Sequence, residues 1–332
     1  MADAPEDLSQ DRLAAMERRI EDLELRISSL SQAYSRTRYQ SRRIWLRPPL
    51  WTFEQYSPRQ VRIPKSYGNE RSTNTTLSFA IVTPSYNQGS YLNATINSVL
   101  SQKYPRLHYH VQDGGSNDQS PQIIQEFASQ LTWQCAPDAG QAQAINRGFA
   151  ATSGEIMAYL NSDDMLLPGT IAYVAQAFAA SPELDFVYGH RIFVDRDGSE
   201  IGRAVLPPHD AKSLYWADYV PQETMFWRRR VWESIGPFDE TFHYALDWDF
   251  ILRAQAAGFT FKRLPRFLAC FRVHDRQKTS STYEIGREEM QRLRLRHLGF
   301  TPSQRQVERA VAPYLARQLA THWMYRTGLL RH

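Results

Sequence analysis

The fold is decided by the stretch Glu155-Ile156-Met157-Ala158-Tyr159-Leu160-Asn161-Ser162-Asp163-Asp164. Its first half is apolar at consecutive positions, which is typical of a strand buried on both faces in the centre of a parallel sheet. Pro168-Gly169 then interrupts the chain, and the Ala-rich segment 170–180 is expected to be a helix. Ligands of open α/β sheets bind outside the carboxyl ends of the strands. The polar residues from Asn161 to Asp164 are therefore expected to face a binding crevice.

The adjacent carboxylates of Asp163 and Asp164 are the candidate chemistry of this crevice. Two neighbouring carboxylates repel each other unless a cation lies beside them. A hard divalent ion held by one or two carboxylates, with phosphate oxygens completing its shell, is a common arrangement. We therefore predict a Mn²⁺ or Mg²⁺ site that carries a phosphate-containing ligand. The alternative is a solvated Asp-Asp turn that caps the next helix.

Composition places the chain among ordinary globular proteins. It has 332 residues, of which 42% are hydrophobic and 22% charged, enough for one large domain or two smaller ones. Cys135 and Cys270 have neither metal-site spacing nor a disulfide framework, so a reducing, cytoplasmic location is expected. No apolar run approaches the roughly 18 residues of a membrane span. A net charge of +4 is too small to indicate nucleic acid binding.

Residues 1–34 have the pattern of a coiled coil. Apolar residues alternate at spacings of three and four over three heptads, and isoleucine at a with leucine at d favours a parallel dimer. The a positions are Leu13, Ile20, Ile27 and Tyr34, and the d positions are Met16, Leu23 and Leu30. We expect a homo-oligomer. The alternative is one amphipathic helix packed on its own domain.

Residues 35–76 form a basic arm or linker that is rich in proline and aromatic residues. The segment has nine Lys or Arg, and its acidic residues are Glu54 and Glu70. Its four prolines make a continuous helix unfavourable. An arm wrapped over the catalytic domain and a strap on an anionic membrane surface both fit this composition.

Strands and helices alternate from Leu77 onward. Strands are predicted over 79–83, 108–112 and 131–135, ahead of the strand at Ile156, with helices over 121–129 and 141–151 between them. This alternation predicts an α/β fold with a mostly parallel twisted sheet and helices on both faces. The chain has no GxGxxG, Walker A or GxSxG motif, which disfavours dinucleotide enzymes, P-loop NTPases and α/β-hydrolases.

Four motifs in this order resemble the family-2 glycosyltransferases. They are Thr83-Pro84-Ser85-Tyr86-Asn87, Asp113-Gly114-Gly115-Ser116-Asn117-Asp118, Gly140-Gln141-Ala142-Gln143-Ala144-Ile145-Asn146 and Asn161-Ser162-Asp163-Asp164. The resemblance covers a catalytic domain of residues 77–280. It implies the GT-A fold, a nucleotide-diphosphate sugar donor and inverting transfer. Many members have an additional Asp where this chain has Asn161, which leaves open whether Asp163 or Asp164 contacts the metal.

The resemblance also implies which residues bind the donor. Pro84 and Asp113 would hold the base and ribose, with Tyr86 and Asn87 in the same loop, and Asp163 and Asp164 would hold Mn²⁺ or Mg²⁺ on the diphosphate. The implied nucleotide-binding set is Thr83, Pro84, Tyr86, Asn87, Asp113, Gly140, Gln141, Asn146 and Asp163.

The second half of the chain supplies the remaining candidates. Asp247 matches the family's catalytic base, and its alternative role is to cap a helix that follows Phe250. His274, in an Arg-X-His pattern, matches a metal or diphosphate ligand, although a lone histidine is more often structural. The candidates for the acceptor or sugar side are Gln222, Glu223 and Trp248.

Together these features indicate transfer of a single sugar to a hydroxyl of a glycan, a lipid-linked glycan or a polysaccharide precursor. Two other functions stay open: nucleotidyl transfer on a related sheet, and a non-catalytic nucleotide-sugar-binding scaffold. Residues 281–332 are basic and helical, with nine Arg against four Glu. They are expected to pack on the core or to make a peripheral membrane contact on the cytoplasmic face.

Overall fold

A single mixed β-sheet with helices on both faces organises the part of the chain that the computed structural model describes. The described residues are 56–69, 76–274 and 283–331. The coiled-coil prediction for 1–34 and most of the arm predicted over 35–76 lie outside them. Within the described residues the sheet has nine strands, in the order β3-β2-β1-β4-β8-β6-β9-β5, with β7 beside β6.

The elements follow one another as the alternating pattern predicts. The strands are β1 Phe79–Ser85, β2 Leu107–Asp113, β3 Thr132–Cys135, β4 Ile156–Tyr159, β5 Met165–Leu166, β6 Phe186–Val194, β7 Glu200–Ala204, β8 Phe226–Arg228 and β9 Phe261–Arg272. The helices are α1 Gly89–Leu100, α2 Ser120–Glu126, α3 Gln141–Ala150, α4 Thr170–Ala180, α5 Ala211–Leu214, α6 Arg229–Ile235, α7 Leu246–Ala256, α8 Tyr283–Leu298 and α9 Gln304–Arg326. Short 3₁₀ helices span Lys65–Asn69 and Gln222–Thr224.

The first four strands form the parallel part of the sheet. β1 lies between β2 and β4, and β3 adds to the outer edge of β2. All residues of β1 and β4 are buried. Alternate side chains enter two separate apolar cores: Val82 and Met157 lie with α3 and α7 on one face, and Ile81 and Ile156 lie with α1 and α4 on the other. Burial on both faces explains why these strands read as continuous apolar runs.

The second half of the chain completes the sheet with mixed pairing. β8 runs antiparallel to both β4 and β6, whereas β6 and β9 are parallel. The expected α/β sheet is therefore present, with a continuous parallel region of four strands in the first half and one further parallel pair, β6 and β9, in the second. One helix boundary was misplaced: α7 begins at Leu246, not after Phe250, so Asp247 lies inside its first turn.

Gly169 marks the break after the acidic stretch. It has a φ of +72°, and a Cβ at this position would lie 2.0 Å from the carbonyl oxygen of Tyr67. A side chain would therefore be excluded by both the backbone conformation and the close approach of the Lys65–Asn69 turn. The break turns the chain from β5 into α4.

The N-terminal arm is attached to the sheet through the buried carboxylate of Glu200. Arg59 and Arg203 each donate to it at 2.7 Å, and the Tyr56 hydroxyl also donates to it. Arg203 continues the network to the hydroxyl of Tyr325 in α9 at 2.7 Å. Although burial opposes ionisation, these hydrogen bonds hold the pKa of Glu200 at about 2, below its ordinary value of 4.5. The ionised carboxylate therefore links the arm, β7 and the last helix.

We expect Glu200→Gln to destabilise the protein at neutral pH. Because the folded pKa is depressed, the stabilisation is fully present above about pH 4.5 and is lost as the pH falls towards 2; its upper bound is about 3 kcal/mol. Urea unfolding from pH 7 to about pH 3 should show the difference between wild type and variant shrinking with acidity. Glu183→Gln, on an exposed residue, is the matched control. A pH-independent difference would contradict this account.

Candidate active site

The polar residues that follow β4 lie at the carboxyl end of the parallel strands, as expected. β4 ends at Tyr159, and Asp164 is buried while Asp163 remains partly exposed. A chain of amides crosses the floor of this crevice. Gln141 donates to Asn161 Oδ1 at 2.7 Å, Asn161 Nδ2 donates to Gln222 Oε1 at 2.8 Å, and Gln222 Nε2 donates to the Tyr159 carbonyl at 2.9 Å. The chain fixes Asn161 between α3 and the 3₁₀ turn before β8.

Asp163 pairs with His274, which the sequence places 111 residues away. Asp163 Oδ2 lies 3.0 Å from His274 Nε2, and the centroid of the imidazole lies 4.6 Å from that of the Tyr91 ring, with the two planes tilted by 38°. The other ring nitrogen, Nδ1, is buried and has no hydrogen-bond partner among the described residues. A carboxylate and an imidazole thus meet at the rim of the crevice.

Asp164 occupies a different position from its neighbour. Its Oδ1 accepts a hydrogen bond from the backbone N–H of Arg272 at 3.0 Å, so it helps to join the acidic stretch to β9. Burial and the negative charges of Asp163 and Glu223 raise the pKa of Asp164 well above its ordinary range. In residues 56–69, 76–274 and 283–331, no three His, Cys, Asp or Glu side chains form a group that could hold a metal ion. The predicted set of Asp163, Asp164 and His274 is thus not brought together as a three-ligand cluster.

Further carboxylates surround the buried side chain of Tyr159. Burial and the charges of Asp247, Asp218, Asp164 and Glu223 all raise the pKa of the Tyr159 hydroxyl. Asp218 was not predicted from the sequence. Burial and the charge of Asp247 raise the pKa of Asp218 well above its ordinary range, so Asp218 belongs to the same acidic group. Asp218 lies in none of the sequence motifs, so the sequence alone could not identify it as a site residue.

Arg191 is the cation that faces this acidic group, and it was also missed. Its guanidinium lies 2.6 Å from Glu223 Oε2, and it packs against the rings of Phe193 and Phe271. Glu223 is fully buried, and its Oε1 has no partner among the described residues. Burial raises the pKa of Glu223, whereas the charge of Arg191 lowers it. One oxygen of the Glu223 carboxylate is therefore paired with Arg191, and the other has no partner among the described residues.

Asp247 and Trp248 point to different sides of α7. Asp247 is half-buried beside the acidic group, and its Oδ1 accepts from the N–H of Trp248. The Trp248 indole is fully buried in the core, and its N–H donates to the carbonyl of Leu214 at 2.9 Å. The expectation that Trp248 faces the acceptor is therefore wrong, because one helical step turns it about 100° away from Asp247. Asp249 is structural, since it accepts from Arg253 and Arg296.

The proposed base and ribose side is built from the loops after β1 and β2. Asp113 is buried, and its carboxylate accepts from the backbone N–H groups of Gly115 and Ser116 and from the hydroxyl of Ser116. The thiol of Cys135 also donates to it at 3.2 Å. These hydrogen bonds show that Asp113 also fixes the conformation of the glycine loop that follows it. Burial and the neighbouring Asp113 raise the pKa of this thiol.

The first loop of the predicted donor site lies against the second. The backbone N–H of Asn87 donates to the Ser116 hydroxyl, and Asn87 Oδ1 accepts from the N–H of Asn117. Pro84 is buried at the end of β1, and Tyr86 is exposed beside it. Gly140 is the residue before α3, at the same edge of the sheet, and its N–H donates to Asp138. These residues are brought to one edge of the sheet, and their binding roles stay predictions.

Two residues that were predicted to bind the nucleotide-sugar donor make hydrogen bonds to other residues of the protein. The Thr83 hydroxyl is fully buried and lies 3.0 Å from the Tyr109 hydroxyl, inside the core. Asn146 uses its amide to bind both the N–H and the carbonyl of Phe238, and it also donates to Glu240. Thr83 is enclosed in the core, which contradicts its predicted role, whereas Asn146 is partly exposed and its role at the donor stays a prediction.

Comparison with known proteins agrees with this architecture. The site is an acidic crevice at the carboxyl edge of an open α/β sheet. The model of Glycosyl transferase family 2 matches residues 80–248, more than half of the chain. The protein therefore belongs to this family, and the sequence resemblance is confirmed. No helix in the described part of the chain is long and apolar enough to cross a membrane.

Relatives extend the similarity to named proteins. An uncharacterized glycosyltransferase of Nostoc is 26% identical over 215 residues, covering 60% of this chain and 65% of its own. One from Mycobacterium tuberculosis is 31% identical over 179 residues, covering 53% and 68%. A PGL/p-HBAD biosynthesis glycosyltransferase of Mycobacterium bovis is 28% identical over 180 residues, with the same coverage. The match thus spans about two thirds of the length of these relatives.

The fold is shared with a solved glycosyltransferase. The crystal structure of S. aureus TarS 1-349 in complex with UDP-GlcNAc superposes with a TM-score of 0.56 at 19% identity, covering 74% of this chain and 73% of that one. The GT-A-like fold is thereby confirmed.

We expect Asn161→Asp to lower stability by about 1–3 kcal/mol at neutral pH, because an ionised carboxylate cannot donate to Gln222 and leaves its buried oxygen unpaired. The deficit should shrink in acid, where the protonated carboxyl of the variant can donate again. Thermal unfolding as a function of pH measures this. Asn93→Asp, on the exposed side of α1, is the control. Equal stability of wild type and Asn161→Asp would show that the amide chain contributes nothing.

Proposed function

We propose that the protein is an inverting glycosyltransferase that moves one sugar from a nucleoside-diphosphate sugar to a hydroxyl acceptor, with a divalent cation at the diphosphate. The single observation that carries this proposal is the approach of Asp163 and His274 at the carboxyl edge of the sheet, with Asp247 in the same acidic group. Membership of the family supports a donor of this class.

Asp163 and His274 suit a cation that enters together with its phosphate ligand. A carboxylate oxygen suits both Mn²⁺ and Mg²⁺, and Mg²⁺ is commonly held by one or two carboxylates plus substrate phosphates. The softer imidazole nitrogen suits Mn²⁺ better than Mg²⁺. Within the described residues the buried His274 Nδ1 has no hydrogen-bond partner, which supports a further ligand for this imidazole. When bound, the cation would act as a Lewis acid on the negative charge that develops at the diphosphate. Asp164 would then hold the backbone of β9 beneath the site.

Asp247 is proposed as the general base. It would remove the proton of the acceptor hydroxyl while the hydroxyl oxygen attacks the anomeric carbon and the bond from that carbon to the phosphate oxygen breaks. The nucleoside diphosphate leaves with the electron pair of that bond. The loops that contain Asp113, Tyr86 and Asn87 would bind the nucleoside, and Gly140 and Gln141 would lie beside the diphosphate and sugar. Gln222 would hold Asn161 in place, with Glu223 below it.

A glycan or a lipid-linked glycan is the proposed acceptor. The relative from Mycobacterium bovis is named as a glycosyltransferase of PGL/p-HBAD biosynthesis, which supports a biosynthetic transferase role for this chain. The exposed Leu319 and Trp323 of α9 stand one turn apart near the exposed Arg326, a combination suited to a peripheral contact with anionic lipid. Retention of Asp163 and Asp247 favours an enzyme over a non-catalytic scaffold, and the family match disfavours nucleotidyl transfer.

We expect Asp163→Ala to lose cation-dependent donor binding, and Asp247→Asn to keep donor binding while transfer falls by about 10²–10⁴-fold. Asp163 would hold the cation on the diphosphate of the bound donor, whereas Asp247 would act only while the acceptor attacks. Uridine, guanosine and thymidine diphosphate sugars would be screened by thermal stabilisation with Mn²⁺, with Mg²⁺ and with chelator. Release of the nucleoside diphosphate would then be followed with the donor that stabilises.

Asp197→Ala, in an exposed turn between β6 and β7, is the control for both variants. Stabilisation by a donor that persists in chelator would contradict the cation site. Transfer by Asp247→Asn at the wild-type rate would contradict the base assignment.

The proposed homo-oligomer rests on the heptads of residues 1–34, and 77–280 is proposed as the catalytic domain that it carries. Deleting 1–34 should lower the molar mass measured by light scattering, because the apolar seam is lost. Ile20→Asp with Ile27→Asp should have the same effect by placing like charges in the seam. Donor binding should survive, since every proposed site residue lies beyond Leu77. A monomeric mass for the full chain at high concentration would refute self-association.

A further inference from the structure

Helix α8 holds the segment that precedes and begins α7. Its contacts come from Gly286, Glu289, Arg292 and Arg296, which are spaced three or four residues apart and so lie along one face of the helix. All four residues lie outside the span matched by the family model.

Glu289 is the centre of this contact. Its carboxylate is buried, and it accepts the backbone N–H groups of three consecutive residues: His243 at 2.7 Å, Tyr244 at 2.8 Å and Ala245 at 2.8 Å. Ala245 is the residue immediately before α7, so Glu289 satisfies donors at the entrance of that helix from a distant part of the chain. An ionised acceptor makes such hydrogen bonds short and strong.

The neighbouring residues of α8 hold the same segment from both sides. A Cβ on Gly286 would lie 2.8 Å from the ring of Tyr244, so α8 approaches this turn as closely as glycine permits. Arg292 donates to the Thr241 hydroxyl at 3.0 Å and stacks over Phe242. Arg296 donates to Asp249 at 2.6 Å. The segment 241–249 is therefore held along its length, and Asp247 lies between the contacts at Ala245 and Asp249.

We propose that Glu289 is a positioning residue for Asp247. It fixes the backbone of residues 243–245, and through that turn it sets where the first turn of α7 places the Asp247 carboxylate. The proposal rests on the proposed base role of Asp247. Glu289 does not contact the reacting groups, and its effect is on the geometry of attack. A displacement of about 1 Å in such a group can cost about 10²-fold in rate.

Glu289→Gln tests the proposal, because the amide has one acceptor oxygen where the carboxylate has two. We expect amide hydrogen exchange at residues 243–245 to accelerate. We also expect kcat for release of the nucleoside diphosphate to fall about 10²-fold, while the affinity for the donor stays at the wild-type value. Glu288→Gln, the same change on the adjacent exposed residue, should alter neither. Unchanged exchange at 243–245, or a wild-type kcat, overturns the proposal.

Gly286→Ala is the second variant, should Glu289→Gln fail to fold. It keeps the carboxylate but pushes a methyl group against the Tyr244 ring, so it should also lower kcat without changing donor affinity. Equal losses of kcat and donor affinity in a folded variant would indicate a general structural role and overturn the proposal.

A double-mutant cycle separates this inference from the proposed function. If Glu289 acts through Asp247, Glu289→Gln should have almost no further effect in the Asp247→Asn background, whereas independent effects multiply. Transfer by Asp247→Asn at the wild-type rate would refute the base assignment itself. A large effect of Asp247→Asn that multiplies with that of Glu289→Gln would refute the positioning role alone.

Discussion

Excess negative charge at the carboxyl edge of the sheet is the constraint on which the site depends. Asp163, Asp164, Asp218, Glu223 and Asp247 influence one another or the buried Tyr159, and among the described residues Arg191 neutralises part of this charge. Burying like charges is unfavourable unless protons, hydrogen bonds or cations compensate. The pKa values of Asp164 and Asp218 are raised because burial and the neighbouring carboxylates disfavour their ionised forms. An acidic crevice of this kind favours a ligand that brings a cation with it.

The backbone around the crevice is arranged to hold this charge in place. The amide chain through Gln141, Asn161 and Gln222 connects three elements without adding a charge. Since Asn161 donates to Gln222 and accepts from Gln141, an aspartate could not replace it without losing a hydrogen bond. The partners of Asn161 therefore require an amide at this position, where many family members have an aspartate.

Sequence reasoning succeeded where chemistry and local pattern coincide. The continuous apolar run at Ile156–Tyr159 placed the central strand, because burial on both faces removes polar residues from it. It failed at Thr83 and Trp248, whose types suit a ligand but whose side chains are buried in the core with partners there. Asp218, Arg191 and Glu289 could not be found at all, because they act through contacts between residues distant in the chain. No periodicity or spacing records such contacts.

The support of Asp247 shows how a short motif depends on the rest of the chain. The family match ends at residue 248, yet the turn before Asp247 donates its backbone hydrogen bonds to Glu289, and Asp249 accepts one from Arg296. A carboxylate within the first turn of a helix has its direction set by the backbone that enters that turn. The chemistry can therefore reside in the motif while its geometry is set by a helix beyond it.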